Sequence, residues 1–524
     1  MFTDNVQLVS SQYYLSAAGA LLLSYYLVPY LLDPHDYRRR FSGPLAASLS
    51  NWWLSRSAKS GHHCESLHAL HEKYGKFAVY GHSNGLLKSE FYDAFKSDAM
   101  GDVFNTRDKA AHTMKRKRIA NIFSPQNVLA FEPRVRRHIE RFCAQLDMRC
   151  EQALKGASGF NWGAKDGRAM LNCCPQFSYI SFDIISDLAL GVPFGLIEAQ
   201  KDSTPALSLV SGKNVQNLPV IDLIAKGGAG AHALGSYPPW VQKLLLFGTP
   251  WHIPDFIIRR DFRNIAKAAV NTRVDKAEEG PEYEKRGVDL LDKLFEVKNA
   301  DGSPLTRDEI DSEALVTIGA GSDTTSNSLS ALCYYIASNP QIQQRLHEEL
   351  DSVHASVDMA ELDQTKSSYE IVGFEHIKNL PYLNACVKEA LRLYSTVGTG
   401  LPRVVPIGKT LTIAGETFNE GSVISVPSYS TNRSNVWGAD PEMYRPERWL
   451  EDEAGSLNKY FVPFSTGSRA CVGRNLANMN MLLISATFFH RYDVQLASPS
   501  TKLEVDEGFV RNATRCDIAI KRRN

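Results

Sequence analysis

The chain has 524 residues, enough to bury a large core and enclose a sizeable cofactor. Its 58 Lys and Arg balance 58 Asp and Glu, so it lacks the basic excess that nucleic-acid binding calls for. Apolar residues at 44% and charged residues at 22% exclude extensive disorder, and nine cysteines with no Cys-x-x-Cys pair argue for a reducing compartment, against a disulfide framework or structural zinc.

The run from Tyr13 to Leu32 carries no charge over twenty residues, about 30 Å as a helix and the thickness of a bilayer core. Tyrosines stand at both ends, where they suit the membrane interface. No Lys or Arg precedes the run, whereas Arg38, Arg39 and Arg40 follow it. The positive-inside rule therefore predicts a single transmembrane anchor over 13–32, a short lumenal segment over 1–12, a linker over 33–44 and a cytosolic remainder. A cleaved signal peptide would want a positive start and a small-residue cleavage site, and neither is present. A buried core helix is the bland alternative. Gly43-Pro44 then turns the chain.

From about Asp108 to Ser395 helical periodicity dominates, with long amphipathic segments at Ala130–Leu154, Phe262–Ala277 and Gln341–Val353. Strand-like runs are few: Phe77–Tyr80, Leu411–Ile413 and Val423–Pro427. No composition shift or repeat divides the sequence. The expected fold class is mainly α with a minor β component, as one domain over residues 45–524.

Chemistry-bearing residues follow in chain order. His112 and Arg116 fall one helical turn apart on one face, both hydrogen-bond donors. The basic run Lys115–Arg118, with Arg134, Arg136 and Arg137, reads first as solvated surface. A helix from about Thr306 to Ser338 opens with capping-box spacing at Thr306 and Glu309. It carries Ala320-Gly321-Ser322-Asp323-Thr324-Thr325. Ala320-Gly321 leaves a side-chain-poor surface, and Thr324 can bond back to the Ala320 carbonyl and open a groove. Alone, that hexapeptide also suits an ordinary buried helix. Glu389 and Arg392 lie three apart on the helix Tyr382–Tyr394, where an exposed pair worth about 0–1 kcal/mol is the default. Arg403 follows Pro402 on a short strand; Arg433 and the tetrapeptide Pro446-Glu447-Arg448-Trp449 come later.

The densest pattern is Phe464-Ser465-Thr466-Gly467-Ser468-Arg469-Ala470-Cys471-Val472-Gly473, set before the apolar helix Asn475–Phe489. A helix N-terminus stabilises a thiolate through free N–H groups and the positive end of its dipole. Gly467 and Gly473 let the backbone bend and a flat cofactor come close. Arg469 suits an anionic group on such a cofactor. A lone cysteine is usually a small buried hydrophobe, the reading given to the other eight.

This five-position Phe-x-x-Gly-x-Arg-x-Cys-x-Gly pattern resembles the signature of the cytochrome P-450 family, as do Glu389-x-x-Arg392 and the Ala320–Thr325 hexapeptide about 150 residues upstream. The resemblance spans everything after the anchor and implies the cytochrome P-450 fold. It implies haem b with Cys471 as the thiolate metal ligand, and a haem site drawn from Cys471, Arg469, His112, Arg116, Arg403, Phe464, Gly467 and Gly473, with Arg433 a further candidate. The family commonly has Trp where this chain has His112. Asp323 and Thr324 take the catalytic acid–alcohol roles in proton delivery, while Glu389, Arg392 and Arg448 form a structural network supporting the Cys loop. Phe104, Ala320, Val397, Gly398, Thr399 and Phe509 are the implied substrate contacts.

The resemblance further implies dioxygen as co-substrate, electrons from NADPH through a cytochrome P-450 reductase docked near the basic run, and an endoplasmic reticulum membrane location. Segments Ser181–Gly195, His112–Ser124, Gly421–Tyr429 and Glu507–Arg511 are similar to those of fungal benzoate para-hydroxylases, which implies a small monocyclic aromatic substrate: a phenol, benzyl alcohol or benzoate. A larger polyketide or terpenoid of secondary metabolism is the alternative. A haem-thiolate isomerase or dehydratase, or a non-catalytic haem protein, would not require the intact Asp323-Thr324 pair. An anionic substrate would want an arginine, for which Arg107 and Arg511 are the candidates.

Overall fold

In the computed structural model the described residues are 13–14, 16–21, 23–24, 27–28, 31–33, 36–41, 43–44, 46–47, 51–74, 86–96, 101–207, 215–248, 253–277, 289–299, 302–356, 371–413 and 415–523. Residues 1–12, six positions within 13–32 and the strand expected at Phe77–Tyr80 lie outside them. Among the described residues no helix is long and apolar enough to cross a membrane.

Local chemistry sets the helix starts. Asp108 accepts from the Ala111 N–H at 2.7 Å and opens α1, Lys109–Ala120. Ser124 caps α2, Pro125–Leu154, with Pro125 in the first turn, where its missing N–H costs nothing. Then come α3 (Cys173–Leu190), α4 (Val220–Gly235), α5 (Ile253–Ala277), α6 (Arg307–Ala337), α7 (Pro340–Ser356), α8 (Pro381–Tyr394) and α9 (Arg474–Arg491). The capping box of α6 is formed: the Glu309 N–H donates to Thr306 Oγ1 at 3.3 Å and the Thr306 N–H to Glu309 Oε2 at 2.9 Å.

The long helix α6 runs through the core and packs along α3, and it also touches α5, α8 and α9. It packs tightly on α3 at Gly321, where a Cβ would sit 2.7 Å from Ile185 Cδ1. Larger side chains are excluded there. The Ser/Thr-rich stretch is satisfied within the helix: Ser322, Thr324, Thr325, Ser328 and Ser330 each donate to the carbonyl four residues back.

The β component is larger than the sequence suggested. Strands β1 (Leu87–Lys88), β4 (Arg403–Val404) and β5 (Val423–Ile424) form one sheet in the order β1-β4-β5. A four-stranded antiparallel sheet has the order β6-β9-β3-β2, from β2 (Trp162–Lys165), β3 (Arg168–Asn172), β6 (Tyr492–Leu496) and β9 (Asp517–Arg522). Between β6 and β9 lies the hairpin β7 (Glu504–Glu507) and β8 (Arg511–Arg515). The linker docks on another hairpin, Leu411–Ile413 with Glu416–Phe418: Phe41 stacks on Phe418 at 5.6 Å, Tyr37 Oη bonds Ser422 Oγ at 2.7 Å, and Arg40 pairs with Glu416.

Candidate active site

The Cys loop precedes α9 and is held by its own backbone, with the Cys471 N–H donating to the Phe464 carbonyl at 2.8 Å. Ser465 and Gly467 both adopt positive φ, 57° and 73°, which makes the turn; at Gly467 this favours glycine. Gly473 has an ordinary φ of −82°, so backbone freedom is not its role. A Cβ there would make only ordinary contact with Cys471 Sγ, at 4.0 Å, so the packing of the chain itself does not demand glycine at this position. All nine cysteines are free; eight are buried, and Cys471 is exposed to a cavity deep in the protein. Burial pushes the Cys471 thiol up, while the Gly473 and Arg474 backbone N–H groups and the Arg116 and Arg474 charges pull it back. A thiolate here calls for a cationic partner on the cavity side.

That cavity, about 480 Å³, lies between the Cys loop and α6. Its wall includes Phe464, Arg469, Cys471, Gly473, Ala320, Asp323, Thr324, Phe104, Val397 and Phe509. Two implied substrate contacts do not line it. Gly398 is packed away, its Cβ position 2.7 Å from Cys64 Sγ, and Thr399 is buried with its hydroxyl unpartnered. Gly467 shapes the loop without reaching the wall.

One end of the cavity concentrates positive charge. His112, Arg116, Arg403 and Arg469 all line it. Arg469 donates to the Thr106 and Arg107 carbonyls at 2.9 Å, Arg116 to the Ala470 carbonyl at 2.6 Å, and Arg403 to Tyr92 Oη at 2.5 Å. Lys88, which sequence reasoning missed, joins them because the β1–β4 register sets it opposite Arg403. Burial, then the charges of Arg469 and Arg403, lowers Lys88 to about 7. Burial, then Arg469, Lys88, Arg116 and Arg403, lowers His112 to about 3, so its imidazole is neutral. Such a cluster of mutually repelling cations fits an anionic group placed among them. With Cys471 on the floor and glycine-made space above, the donor set suits a flat metal macrocycle carrying carboxylates: the residues present fit haem.

Other basic residues are committed elsewhere. Arg433 does not reach the cavity, because it pairs with Glu442 at 2.9 Å and stacks on Tyr429. Arg107 pairs with Asp93 and Arg511 with Glu507, both at 2.6 Å, and neither lines the wall. The expected solvated basic run is mostly internal: Lys115 donates to the Gly101 carbonyl, Arg118 pairs with Glu309 and Arg134 with Asp187. Lys117 and Arg137 stay exposed.

On α6, Thr324 Oγ1 donates to the Ala320 carbonyl at 2.9 Å. Asp323 is enclosed one residue earlier, accepting from Asn327 Nδ2 at 3.0 Å, and burial lifts its carboxyl to about 7. Glu389 is fully buried, with Arg392 and Arg448 bonding carbonyls between Asn432 and Met443, and the exposed-pair default fails. Its carboxylate accepts from Arg392 Nη2 (2.8 Å) and Nε (3.0 Å), Arg448 Nε (2.9 Å), Trp449 Nε1 (3.0 Å) and the Arg445 N–H (3.1 Å).

A cysteine at a helix N-terminus, open to a cation-rimmed cavity with an acid–alcohol pair on its wall, is the arrangement of a haem-thiolate oxidoreductase. The chain belongs to the Cytochrome P450 family, whose family model matches residues 64–519, and it is a monooxygenase. The chain is 36% identical to the benzoate 4-monooxygenase of Aspergillus niger, with 96% of each chain covered. It is 27% identical to the pisatin demethylase of Fusarium vanettenii, with 87% of this chain and 85% of the relative covered. To the cytochrome P450 monooxygenase cicH of Emericella nidulans it is 26% identical, over 96% and 99%.

Proposed function

We propose that the chain inserts one oxygen atom from dioxygen into a small monocyclic aromatic substrate, with electrons drawn from NADPH through a flavoprotein reductase. The observation that carries the substrate reading is an aromatic wall on the cavity. Phe95, Phe104 and Phe509 meet edge-to-face, with ring centroids 4.8 Å apart for Phe95–Phe509 and 5.5 Å for the other two pairs. Such a wall offers both ring edges and ring faces to a flat aromatic guest. The likeness to a benzoate 4-monooxygenase supports the same class.

Haem, when bound through Cys471, supplies dioxygen activation and oxygen-atom transfer, chemistry beyond any side chain. The chain's own groups position, dry and protonate. Lys88, His112, Arg116, Arg403 and Arg469 hold the cofactor's carboxylates. Asp323, poised near neutrality, holds a proton at its carboxyl, and the Thr324 hydroxyl passes it toward the cavity. Glu389, Arg392 and Arg448 keep the Cys loop rigid behind the metal ligand.

Residues 13–32 are read as the anchor of the domain in the endoplasmic reticulum membrane, with the catalytic domain cytosolic. Support comes from its apolar side chains, which stand in solvent without protein cover: Tyr13, Tyr14, Leu21, Leu23, Leu31 and Leu32 are each more than 60% exposed. The test of the substrate class is optical titration of the purified haem protein with benzoate, a cresol and a bulky terpenoid. A low-to-high-spin Soret shift with either small aromatic is expected. A shift and product with the terpenoid alone would overturn the substrate class.

A further inference from the structure

The cations on the cavity wall are of three kinds. Lys88, Arg116, Arg403 and Arg469, with the neutral His112 among them, form the cluster already assigned to the cofactor. Lys96 is neutralised by Asp93 at 2.6 Å. Arg259 belongs to neither set. It sits on α5 with Ile258 and Phe262, and all three side chains line the cavity. Phe262 fixes where this face of α5 looks: its Cζ lies 3.5 Å from the Cβ position of Gly319 on α6, one residue before Ala320. The Arg259 face of α5 therefore borders the cavity on the side where α5 meets α6.

Among the described residues Arg259 makes no ion pair, and its Nη2 is buried without an acceptor. Asp255, one turn earlier, is the acid whose charge acts on it, and none of the cofactor-side cations contributes to its shift. A guanidinium cannot shed its proton to escape burial, so an unfilled donor in an apolar pocket is costly until an anion meets it. Ile258 and Phe262 on the same helix, and Leu223 and Ile224 on α4, which packs against α5, give this side of the cavity an apolar lining.

We propose that Arg259 is the anion-recognition residue of the substrate pocket, and that the substrate is an aromatic ring bearing a carboxylate. This rests on the reading of the cavity as a site for a small aromatic. A planar carboxylate matches the planar guanidinium fork with two parallel hydrogen bonds, which a phenol or alcohol cannot do. Within the substrate class above, it selects the benzoate type and assigns it a partner that neither Arg107 nor Arg511 can supply.

The test uses the purified haem-loaded protein, wild type and two variants, Arg259→Met and Arg259→Lys, titrated by Soret spin shift with benzoate and with benzyl alcohol. Arg259→Met is expected to weaken benzoate at least about tenfold, the loss of a charge-assisted pair, and to leave benzyl alcohol unchanged. Arg259→Lys restores part of the benzoate affinity, since it keeps the charge and loses the fork. An intact carbon-monoxide band in each variant reports a folded site. Benzoate binding unaffected by Arg259→Met, or both ligands weakened equally, overturns the assignment. Wild type that takes benzyl alcohol but not benzoate overturns it too, with the aromatic reading standing. Wild type that takes only a bulky terpenoid overturns both.

Discussion

Replacing Asp323 by Asn keeps the side chain's size and most of its hydrogen bonding but removes its titration. Burial raises this carboxyl from 3.8 to about 7, with only Asn327 opposing. A carboxyl with a raised folded-state pKa holds its proton more tightly folded than unfolded. Its contribution is fully present below pH 3.8, declines as pH rises toward about 7, and is absent above. Between pH 5 and pH 7 that is about 2 units at 1.36 kcal/mol each, so the wild type should lose about 3 kcal/mol relative to Asp323→Asn. Urea unfolding of both proteins at pH 5 and pH 8 measures this difference directly. The same ionisation governs proton delivery. Product formed per NADPH consumed should fall in the wild type between pH 6 and pH 8, and be low and nearly flat in the variant. Parallel pH dependences for the two proteins, in stability and in coupling, would refute an Asp323 proton poised near neutrality.

Thr324→Ala should retain haem and substrate binding yet divert electrons to peroxide, read as product and peroxide per NADPH; unchanged partition would remove the hydroxyl from the relay. Glu389→Ala leaves Arg392 as an unpaired buried charge and Arg448 with Asp440 alone, at a cost of about 3–5 kcal/mol, a large share of a domain's stability of about 5–15 kcal/mol, so haem incorporation and unfolding midpoint should both drop sharply. A chain beginning after residue 40 should lose attachment that survives alkaline carbonate, measured by pelleting; carbonate-resistant pelleting would place an insertion element elsewhere.

Much of the site was legible because its motifs are contiguous. The Cys loop, the capping box and the α6 hexapeptide each bind their geometry within a few residues. What escaped depends on long-range pairing. The four-stranded sheet joins Asn172 to Asp517, and its strand β3 alternates between half-buried and buried positions without a strong apolar signal. Lys88 reached the cofactor cluster only through its register with Arg403. Arg511 looked available until the β7–β8 hairpin set Glu507 beside it, and Arg433 until Glu442 did the same. Gly398 and Thr399 follow Val397 in sequence, yet the wall takes Val397 alone while Gly398 packs on Cys64. Gly321 carries two roles, and the tight contact with Ile185 of α3 was not visible from α6 alone.

The central claim is that Cys471 is the thiolate ligand of a bound haem. The direct measurement is the absorption spectrum of the reduced, carbon-monoxide-bound protein for the wild type, Cys471→Ala and Cys471→His. The wild type should show the red-shifted Soret band that thiolate ligation gives, and both variants should lose it. A normal red-shifted band in either variant would contradict the account.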